Sequence, residues 1–298
     1  MFLLILENKN VLLQKKREMR KFVCIVFICL LALICIALCY FYRWKSQWAL
    51  EEPKTLYHIT HHQDDTLRIV MIGDSWVGMR TDSIDDQFQN RLSTFIGRPV
   101  KNKTKGKGGE KSRGIYHLMF ENDGFGTKPL LSDGANYCVV IAGINDAAAN
   151  LGKKQYVHYM KYILELLLAN DIRPVLIEIP DVNIWNVYGE KPIKDLTVDF
   201  IRSLMTGCEM YNYHEYREAL FSMLTNEHLL NQIVYVPMIC WNGEDVLINL
   251  SLFMMDKIHL NRYGYERLDN CIAAAIAKDL QQSQDSALFN NPMGKDAQ

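Results

Sequence analysis

At residues 68–76 the chain reads RIVMIGDSW. After Arg68 the stretch is apolar and largely β-branched, which is typical of a short strand buried in a sheet. Gly73 and Asp74 then favour a turn, so Ser75 is predicted to stand just beyond the carboxyl end of a strand. In open α/β sheets this edge is where ligands bind. The stretch therefore predicts an α/β fold with a serine hydroxyl at its functional edge.

The rest of the chain continues an alternation of strands and helices. Apolar runs predict strands at 68–72, 98–102, 137–142, 174–179 and 232–236. Apolar residues at helical spacing predict helices at 82–96, 154–169, 194–205, 214–224 and 262–280. Such alternation predicts a parallel sheet covered by helices on both faces.

An acid and a histidine near the C-terminus complete a candidate catalytic set. In Asp256-Lys257-Ile258-His259 the two side chains are three residues apart. On one short loop Asp256 can orient the imidazole of His259, whose other nitrogen is then free to take the proton of Ser75. A serine hydroxyl needs such a base, because it is a weak nucleophile at neutral pH. Ser75, His259 and Asp256 are therefore the predicted catalytic triad.

Two further motifs lie between the serine and the histidine. Gly143-Ile144-Asn145-Asp146 follows the apolar residues 137–141, and a glycine-rich loop spans residues 106–109. In this order the motifs resemble those of the SGNH (GDSL-type) hydrolase family, over roughly residues 67 to 280. The resemblance implies a flavodoxin-like three-layer α/β/α sandwich with a five-stranded parallel sheet. It also implies ester hydrolysis by a serine nucleophile.

The resemblance further implies an oxyanion hole. Its donors would be the backbone N–H groups of Ser75 and Gly109 and the side-chain amide of Asn145. Several glycines in residues 106–109 compete for the loop position. Gly109 is preferred because a small hydroxyl residue, Ser112, follows it as in the family pattern.

Other features near these motifs have simpler interpretations. Asp74 and Asp146 are expected to fix their loops by hydrogen bonds. Trp76 is the aromatic residue predicted to touch a substrate, because it directly follows the serine. The basic run 101–111 is interpreted as a solvated loop, with an anionic-substrate or membrane-surface role as the alternative. Aromatic residues between 180 and 216, together with Trp241 further along the chain, are interpreted as core, with a sugar-binding platform as the alternative. No metal or cofactor is expected.

The N-terminal region carries a second strong signal. Residues 22–42 form 21 consecutive uncharged positions, and about 20 are enough to cross a hydrocarbon core. Basic residues are more frequent before this stretch than after it, which predicts a cytoplasmic N-terminus and an extracytoplasmic catalytic domain. A signal anchor is preferred over a cleaved signal peptide, because no Ala-x-Ala site follows. Met19 is an alternative start that leaves the stretch intact.

These signals together predict the organisation of the chain. The expected parts are a basic cytoplasmic N-terminus at 1–21, a transmembrane signal anchor at 22–42, a juxtamembrane linker at 43–66, the hydrolase domain at 67–280 and a polar tail at 281–298. A net charge of −1 argues against general binding of nucleic acid. Of eight cysteines, four lie within the anchor. The spacing does not pair the other four, which are Cys138, Cys208, Cys240 and Cys271.

The leading functional prediction is a membrane-anchored serine esterase. It would remove an acyl group, often acetyl in this family, from a carbohydrate or lipid outside the cytoplasm. Acyl transfer to a sugar hydroxyl needs the same side chains and stays open as an alternative. A catalytically silent binding domain is a third hypothesis, disfavoured by the intact set of site residues. The expected partners are a small-molecule or glycan ester and, through the N-terminal helix, a membrane; the oligomeric state is left open.

Overall fold

A computed structural model describes residues 2–47, 51–55, 58–180, 182, 190–242 and 250–290. The chain divides into two units, Met1–Glu52 and Pro53–Gln298. The first contains helix α1, Phe2–Gln47, whose segment Gln14–Tyr42 is long and apolar enough to cross a membrane. By length and composition this helix fits a single-pass anchor or a signal sequence.

The second unit is built on one parallel sheet. Its strands are β1 Leu67–Gly73, β2 Val100–Gly106, β3 Tyr137–Ile141, β4 Arg173–Ile177 and β5 Val234–Val236. They are hydrogen-bonded in the order β2-β1-β3-β4-β5, and every pair is parallel. This is the flavodoxin-like order of a doubly wound sheet, with its switch point between β1 and β3. The predicted fold class is confirmed.

Helices connect and cover these strands. In chain order they are α2 Ser75–Gly78, α3 Asp82–Ile96, α4 Ser112–Leu118, α5 Lys128–Ser132, α6 Ile144–Ala148, α7 Lys153–Leu168, α8 Ile193–Thr206, α9 Tyr213–Asn226, α10 Ile239–Asn242 and α11 Arg262–Asn290. Helix α3 packs against α11, whereas α4 and α9 pack against α7. These two groups form the outer layers of an α/β/α sandwich, and β3 is buried at every position.

The register of the sheet positions the functional edge. Gly73 at the end of β1 pairs with Gly106 at the end of β2 and with Ile141 at the end of β3. Three strands therefore end level with one another, since their last residues are neighbours across the sheet. The segments that follow them carry the serine, the glycine-rich loop and Asn145, so the topology brings these three together.

The predicted strands are all present, but β2 is displaced. It was expected at 98–102 and runs from Val100 to Gly106, so half of the basic run expected to be a solvated loop is a strand. The reason is its place at the edge of the sheet, where charged side chains are tolerated because one side of the strand faces solvent. Lys103, for example, pairs with Asp133 at 2.6 Å. The alternation expected of a buried strand is therefore missing from this sequence.

The long helices lie close to their predicted bounds, while the short ones were not foreseen. Helix α3 spans 82–96 as expected, because Thr81 caps its first turn and Gly97 ends it with a φ of 68°. Five helices of seven residues or fewer were missed, since they are too short to show a helical period. Helix α11 continues to Asn290, into the segment predicted as a polar tail.

Candidate active site

The turn after β1 presents Ser75 at the edge of the sheet. A Cβ atom at Gly73 would collide with the carbonyl oxygen of Ile141, so only glycine fits where β1 and β3 end side by side. The Asp74 N–H donates to the same Ile141 oxygen at 3.2 Å. Ser75 is then the first residue of the short helix α2 and is 8% exposed. The chain path thus fixes a nearly buried serine whose hydroxyl faces the site.

Ser75, His259 and Asp256 form a continuous hydrogen-bonded chain. The distance from His259 Nε2 to Ser75 Oγ is 2.9 Å, and that from His259 Nδ1 to Asp256 Oδ2 is 2.7 Å. An ionised carboxylate only accepts hydrogen bonds, so Nδ1 carries the proton and Nε2 accepts from the serine hydroxyl. The three side chains predicted as a triad are therefore brought together, in the tautomer that a base needs.

Asp256 also shapes the loop that carries it. Its Oδ1 accepts hydrogen bonds from the backbone N–H groups of Ile258 and His259, both at 3.0 Å. Partial burial raises the pKa of Asp256, but the hydrogen bonds from the His259 ring and from these two N–H groups outweigh it and hold the pKa below its usual value. The carboxylate therefore stays ionised at neutral pH.

Asn261 holds the same loop closed, and sequence reasoning missed it. Its Nδ2 donates to the carbonyl oxygens of Ser251 at 2.7 Å and Phe253 at 3.0 Å. Its Oδ1 accepts from the N–H of Gly264 at 3.0 Å. The side chain thus joins both ends of the Asp256–His259 loop to the start of α11. Its place two residues after the histidine and before a helix was the available signal, because Asn is a common residue at such a helix entry.

Trp76 does not face the site, and the predicted substrate contact is wrong. The side chain is 1% exposed, and its ring meets that of Trp241 edge-on at 5.6 Å. Its Nε1–H donates to the carbonyl oxygen of Ile258 at 3.1 Å. A large apolar ring next to the serine turn gains more by burial than by exposure. Trp76 therefore links the serine turn to the histidine loop from within the core.

Asn145 lies between the serine turn and the glycine-rich loop. It is in the first turn of α6, and this helix begins directly after Gly143. The φ of Gly143 is 124°, which favours glycine. Its Nδ2 donates to the carbonyl oxygen of Glu110 at 3.0 Å and to Asp74 Oδ2 at 3.3 Å. Gly109, next to Glu110, is exposed and has a φ of 71°. The predicted donor side chain and the predicted glycine are thus neighbours in the folded chain.

Two buried acids support this arrangement. Asp146 accepts from the hydroxyl of Ser112 at 2.6 Å and from its N–H at 3.0 Å, which fixes the loop after β2 to the end of β3. Asp74 accepts from the N–H of Trp76 at 3.0 Å, besides its contact with Asn145. Burial raises the pKa of Asp74 to about 7 and that of Asp146 to about 6. Their hydrogen bonds are those of loop-fixing groups.

Three of the aromatic residues for which core and sugar-binding platform were the alternatives belong to the core. Tyr211, Tyr216 and Trp241 are buried. Trp185 and Tyr188 lie outside the described residues. The buried rings contribute to packing rather than to a platform, because a stacking surface must be open to a ligand.

Comparison with known proteins shows the same architecture elsewhere. No family model matches the sequence, and no curated protein matches it. Among solved structures, the lipase/acylhydrolase from Enterococcus faecalis superposes with a TM-score of 0.51 at 15% identity, over 72% of this chain and 96% of that one. A mutant of an acetyl-xylooligosaccharide esterase from Geobacillus stearothermophilus superposes with a TM-score of 0.50 at 11% identity, over 70% of this chain and 94% of that one. At such identities the likeness shows a shared fold.

Proposed function

We propose that this chain is an SGNH-type serine esterase that hydrolyses acyl esters. The observation that carries the proposal is the continuous hydrogen-bonded chain from Asp256 through His259 to Ser75. Each group meets the chemical need of the next: the carboxylate orients the imidazole, and the imidazole accepts the serine proton. Because these three hydrogen-bonded side chains lie at the ligand-binding edge of the sheet, a substrate carbonyl can reach the serine oxygen.

The first half of the reaction forms an acyl-enzyme. Ser75 Oγ attacks the carbonyl carbon of the ester while His259 Nε2 takes the hydroxyl proton. The resulting imidazolium is stabilised by the Asp256 carboxylate on its other side. The tetrahedral intermediate then collapses, the ester C–O bond breaks, and Nε2 returns the proton to the leaving alkoxide.

The second half regenerates the serine. A water molecule takes the place of the departed alcohol and gives a proton to Nε2 as its oxygen attacks the acyl carbon. The carboxylic acid leaves when Ser75 recovers its proton from the imidazolium. If a sugar hydroxyl replaced this water, the same steps would transfer the acyl group, which is why product analysis with a competing acceptor belongs in the test.

The oxyanion would be bound by Ser75 N–H, Gly109 N–H and the Asn145 side-chain amide. Asn145 supports this assignment by its geometry, since its hydrogen bond to Asp74 is 3.3 Å long and therefore weak. That N–H is therefore available to a developing negative charge nearby, while the second N–H keeps the shorter bond to Glu110. Removing one donor of this kind typically raises the barrier by about 2.7–4 kcal/mol.

The acyl group is proposed to be short, acetyl above all, and the alcohol to be a carbohydrate or lipid. The support for a large alcohol is that two residues of the site are open to solvent. The Asp256 side chain is 46% exposed and that of His259 is 27% exposed. An open site admits a bulky alcohol. One of the structures that shares the fold is an acetyl-xylooligosaccharide esterase.

The catalytic domain is proposed to be anchored in a membrane by α1, on its extracytoplasmic side. The uncharged stretch 22–42 and the basic residues before it support this topology. Protease added outside intact cells should then degrade the domain, whereas protection would contradict the topology. Deleting residues 1–46 should give an enzyme that no longer sediments with membranes and keeps its turnover.

Serine-directed labelling is the primary test of the proposed function. A fluorophosphonate should label the wild-type chain, and Ser75→Ala should remove both the labelling and the turnover of acetyl esters. The variant should keep the wild-type melting temperature, since it deletes one small hydroxyl. Labelling of Ser75→Ala at the wild-type level would place the nucleophile elsewhere. Acetylated oligosaccharides and longer acyl esters, assayed with and without a competing sugar acceptor, would then define substrate and reaction.

A further inference from the structure

Two cysteines on neighbouring helices lie together beside a surface cavity. Cys240 is in α10 and Cys271 is in α11, and these two helices pack against each other. Both residues line one open cavity of about 380 Å³. The two side chains therefore lie near each other, and the Cys240 side chain adds to the raised pKa of Cys271. Sequence spacing does not pair them, because 30 residues separate them along the chain.

We propose that Cys240 and Cys271 form a structural disulfide when the domain stands in an oxidising compartment. Two thiols that border the same cavity on packed helices can be joined once their Cα atoms stand about 4.4–6.8 Å apart, as disulfide geometry requires. The extracytoplasmic side proposed for this domain is where such bonds form and persist. The pairing itself does not depend on the proposed esterase activity.

The two thiols differ in a way that sets the order of reaction. Cys240 is exposed, so it meets an external oxidant first. With a glutathione-type disulfide as oxidant, the Cys240 thiolate attacks one sulfur and releases one thiol, leaving a mixed disulfide. The Cys271 thiolate then attacks the Cys240 sulfur and releases the second thiol. In sum, two protein thiols and one oxidant disulfide give one protein disulfide and two small thiols.

The buried partner sets the rate of the second step. Burial, followed by the electrostatic influence of the Cys240 side chain, raises the pKa of Cys271 to about 12. Little of this thiol is ionised at neutral pH, so closure should be faster in alkaline buffer. The other two thiols of the domain have different surroundings: Cys138 is buried in the central strand, and Cys208 accepts a hydrogen bond from the N–H of Lys153.

The bond would enclose the proposed catalytic loop. Asp256 and His259 both lie between Cys240 and Cys271 in the sequence. Trp241, next to Cys240, packs against Trp76 under the serine turn. A cross-link at these two points would restrict the unfolded chain around the loop, and such restriction stabilises the folded state. The disulfide would thus fasten both flanks of the histidine loop.

Peptide mapping of the oxidised full-length protein tests the pairing. The detergent-solubilised chain is equilibrated with excess oxidised glutathione at alkaline pH, and remaining thiols are alkylated before digestion without reductant. The expected product is a cross-linked peptide pair that contains Cys240 and Cys271, absent from the Cys240→Ser variant. Alkylation of both cysteines after equilibration, or a link from Cys240 to any other cysteine, would overturn the proposal.

Thermal unfolding supplies a second readout that needs no activity assay. Oxidation should raise the melting temperature of the wild-type protein by about 5–10 °C, as for an ordinary structural disulfide. Cys240→Ser, an exposed substitution that should fold normally, should lose this difference between oxidised and reduced protein. Cys208→Ser is the matched control and should keep it. Loss of the difference in Cys208→Ser, with retention in Cys240→Ser, would contradict the pairing.

Discussion

Two aspartates lie near Ser75, one beside it in sequence and one linked to it through His259, and they differ in burial, partners and pKa. Asp74 is adjacent to the serine in sequence, sits at the end of β1 and is 2% exposed. Asp256 is far away in sequence, sits on a loop before α11 and has a half-exposed side chain. His259 lowers the pKa of both acids by its charge, and it also donates a hydrogen bond to Asp256.

The pKa values of the two acids differ first because Asp74 is far more deeply buried, and then because their hydrogen-bonding partners differ. Asp256 accepts hydrogen bonds from the His259 ring and two backbone N–H groups, which hold its pKa low. Asp74 accepts from the Trp76 N–H and the Asn145 amide, too few to offset burial, and its pKa rises to about 7. A residue that must stay ionised to orient a base needs the first environment. Nearness to the serine in sequence therefore does not decide which acid has that role.

The sharpest test of this comparison is Asp256→Asn. The new Oδ1 can still accept from the N–H groups of Ile258 and His259, so the loop should keep its shape. The new amide would offer a donor to His259 Nδ1, which favours the wrong tautomer and should lower kcat by about 10⁴-fold. Steady-state kinetics with an acetyl ester checks this, and His259→Ala should be at least as damaging. Near-wild-type turnover in Asp256→Asn would remove this residue from the triad.

The next test concerns Asn145, whose side-chain amide donates a hydrogen bond to Asp74. Asn145→Ala should lower kcat by about 10²–10³-fold, because the lost amide would stabilise the tetrahedral intermediate. KM should change little, since the interaction strengthens mainly in the transition state. Asp146→Ala should act differently, by loosening the loop after β2, which ends at Ser112. A full loss in Asp146→Ala beside a normal rate in Asn145→Ala would sink the assignment.

The link between the two regions can be tested at Trp76. Trp76→Phe keeps an aromatic ring but removes the hydrogen bond to Ile258, leaving a buried carbonyl without this donor. A loss of about 1–3 kcal/mol is expected, which corresponds to a fall in melting temperature of about 2–10 °C. The rate should fall by about tenfold or less, since a small displacement of a catalytic group already slows a reaction.

A matched control for this variant is Phe253→Leu. Phe253 also packs on the Trp76 ring, at 6.1 Å between centroids, but its side chain carries no hydrogen bond to the histidine loop. Its substitution should lower the melting temperature and leave kcat unchanged. If both variants lost stability equally and neither lost rate, the hydrogen bond would have no role in positioning the loop.

Sequence reasoning succeeded where the chemistry restricts residue type and failed where only packing decides. The run from Arg68 to Ser75 predicted its strand and turn, because a buried strand followed by glycine has few alternatives. Strand β2 was misplaced because an edge strand carries no apolar alternation. Trp76 was misassigned because adjacency to the serine says nothing about which side of the turn a ring faces. Contacts between distant segments, such as Trp76 with Ile258, leave no local pattern.

Among the variants of the proposed catalytic site, Asp74→Asn should have the smallest effect on turnover, and it separates the two aspartates by pH. Burial raises the pKa of Asp74 from 3.8 to about 7 in the folded protein. Because the folded pKa exceeds the unfolded one, the folded state holds this proton more tightly. The stability linked to it is fully present below the unfolded pKa and is lost as pH rises through the folded pKa. Wild-type stability should therefore fall between about pH 4 and 7 by an amount on the order of a few kcal/mol from this group.

Asp74→Asn removes that loss because its amide does not titrate. The new Oδ1 can still accept from the Trp76 N–H, and Asn145 keeps its shorter hydrogen bond to Glu110 when the long one to residue 74 is lost, so kcat should fall only severalfold. Melting temperatures of the wild-type and variant proteins, measured from pH 4.5 to 7.5, should converge or cross as pH rises. Asp146, with a pKa of about 6, contributes the remaining slope in both proteins. If Asp74→Asn stayed folded and lost as much turnover as Asp256→Asn, Asp74 would be the acid that orients His259.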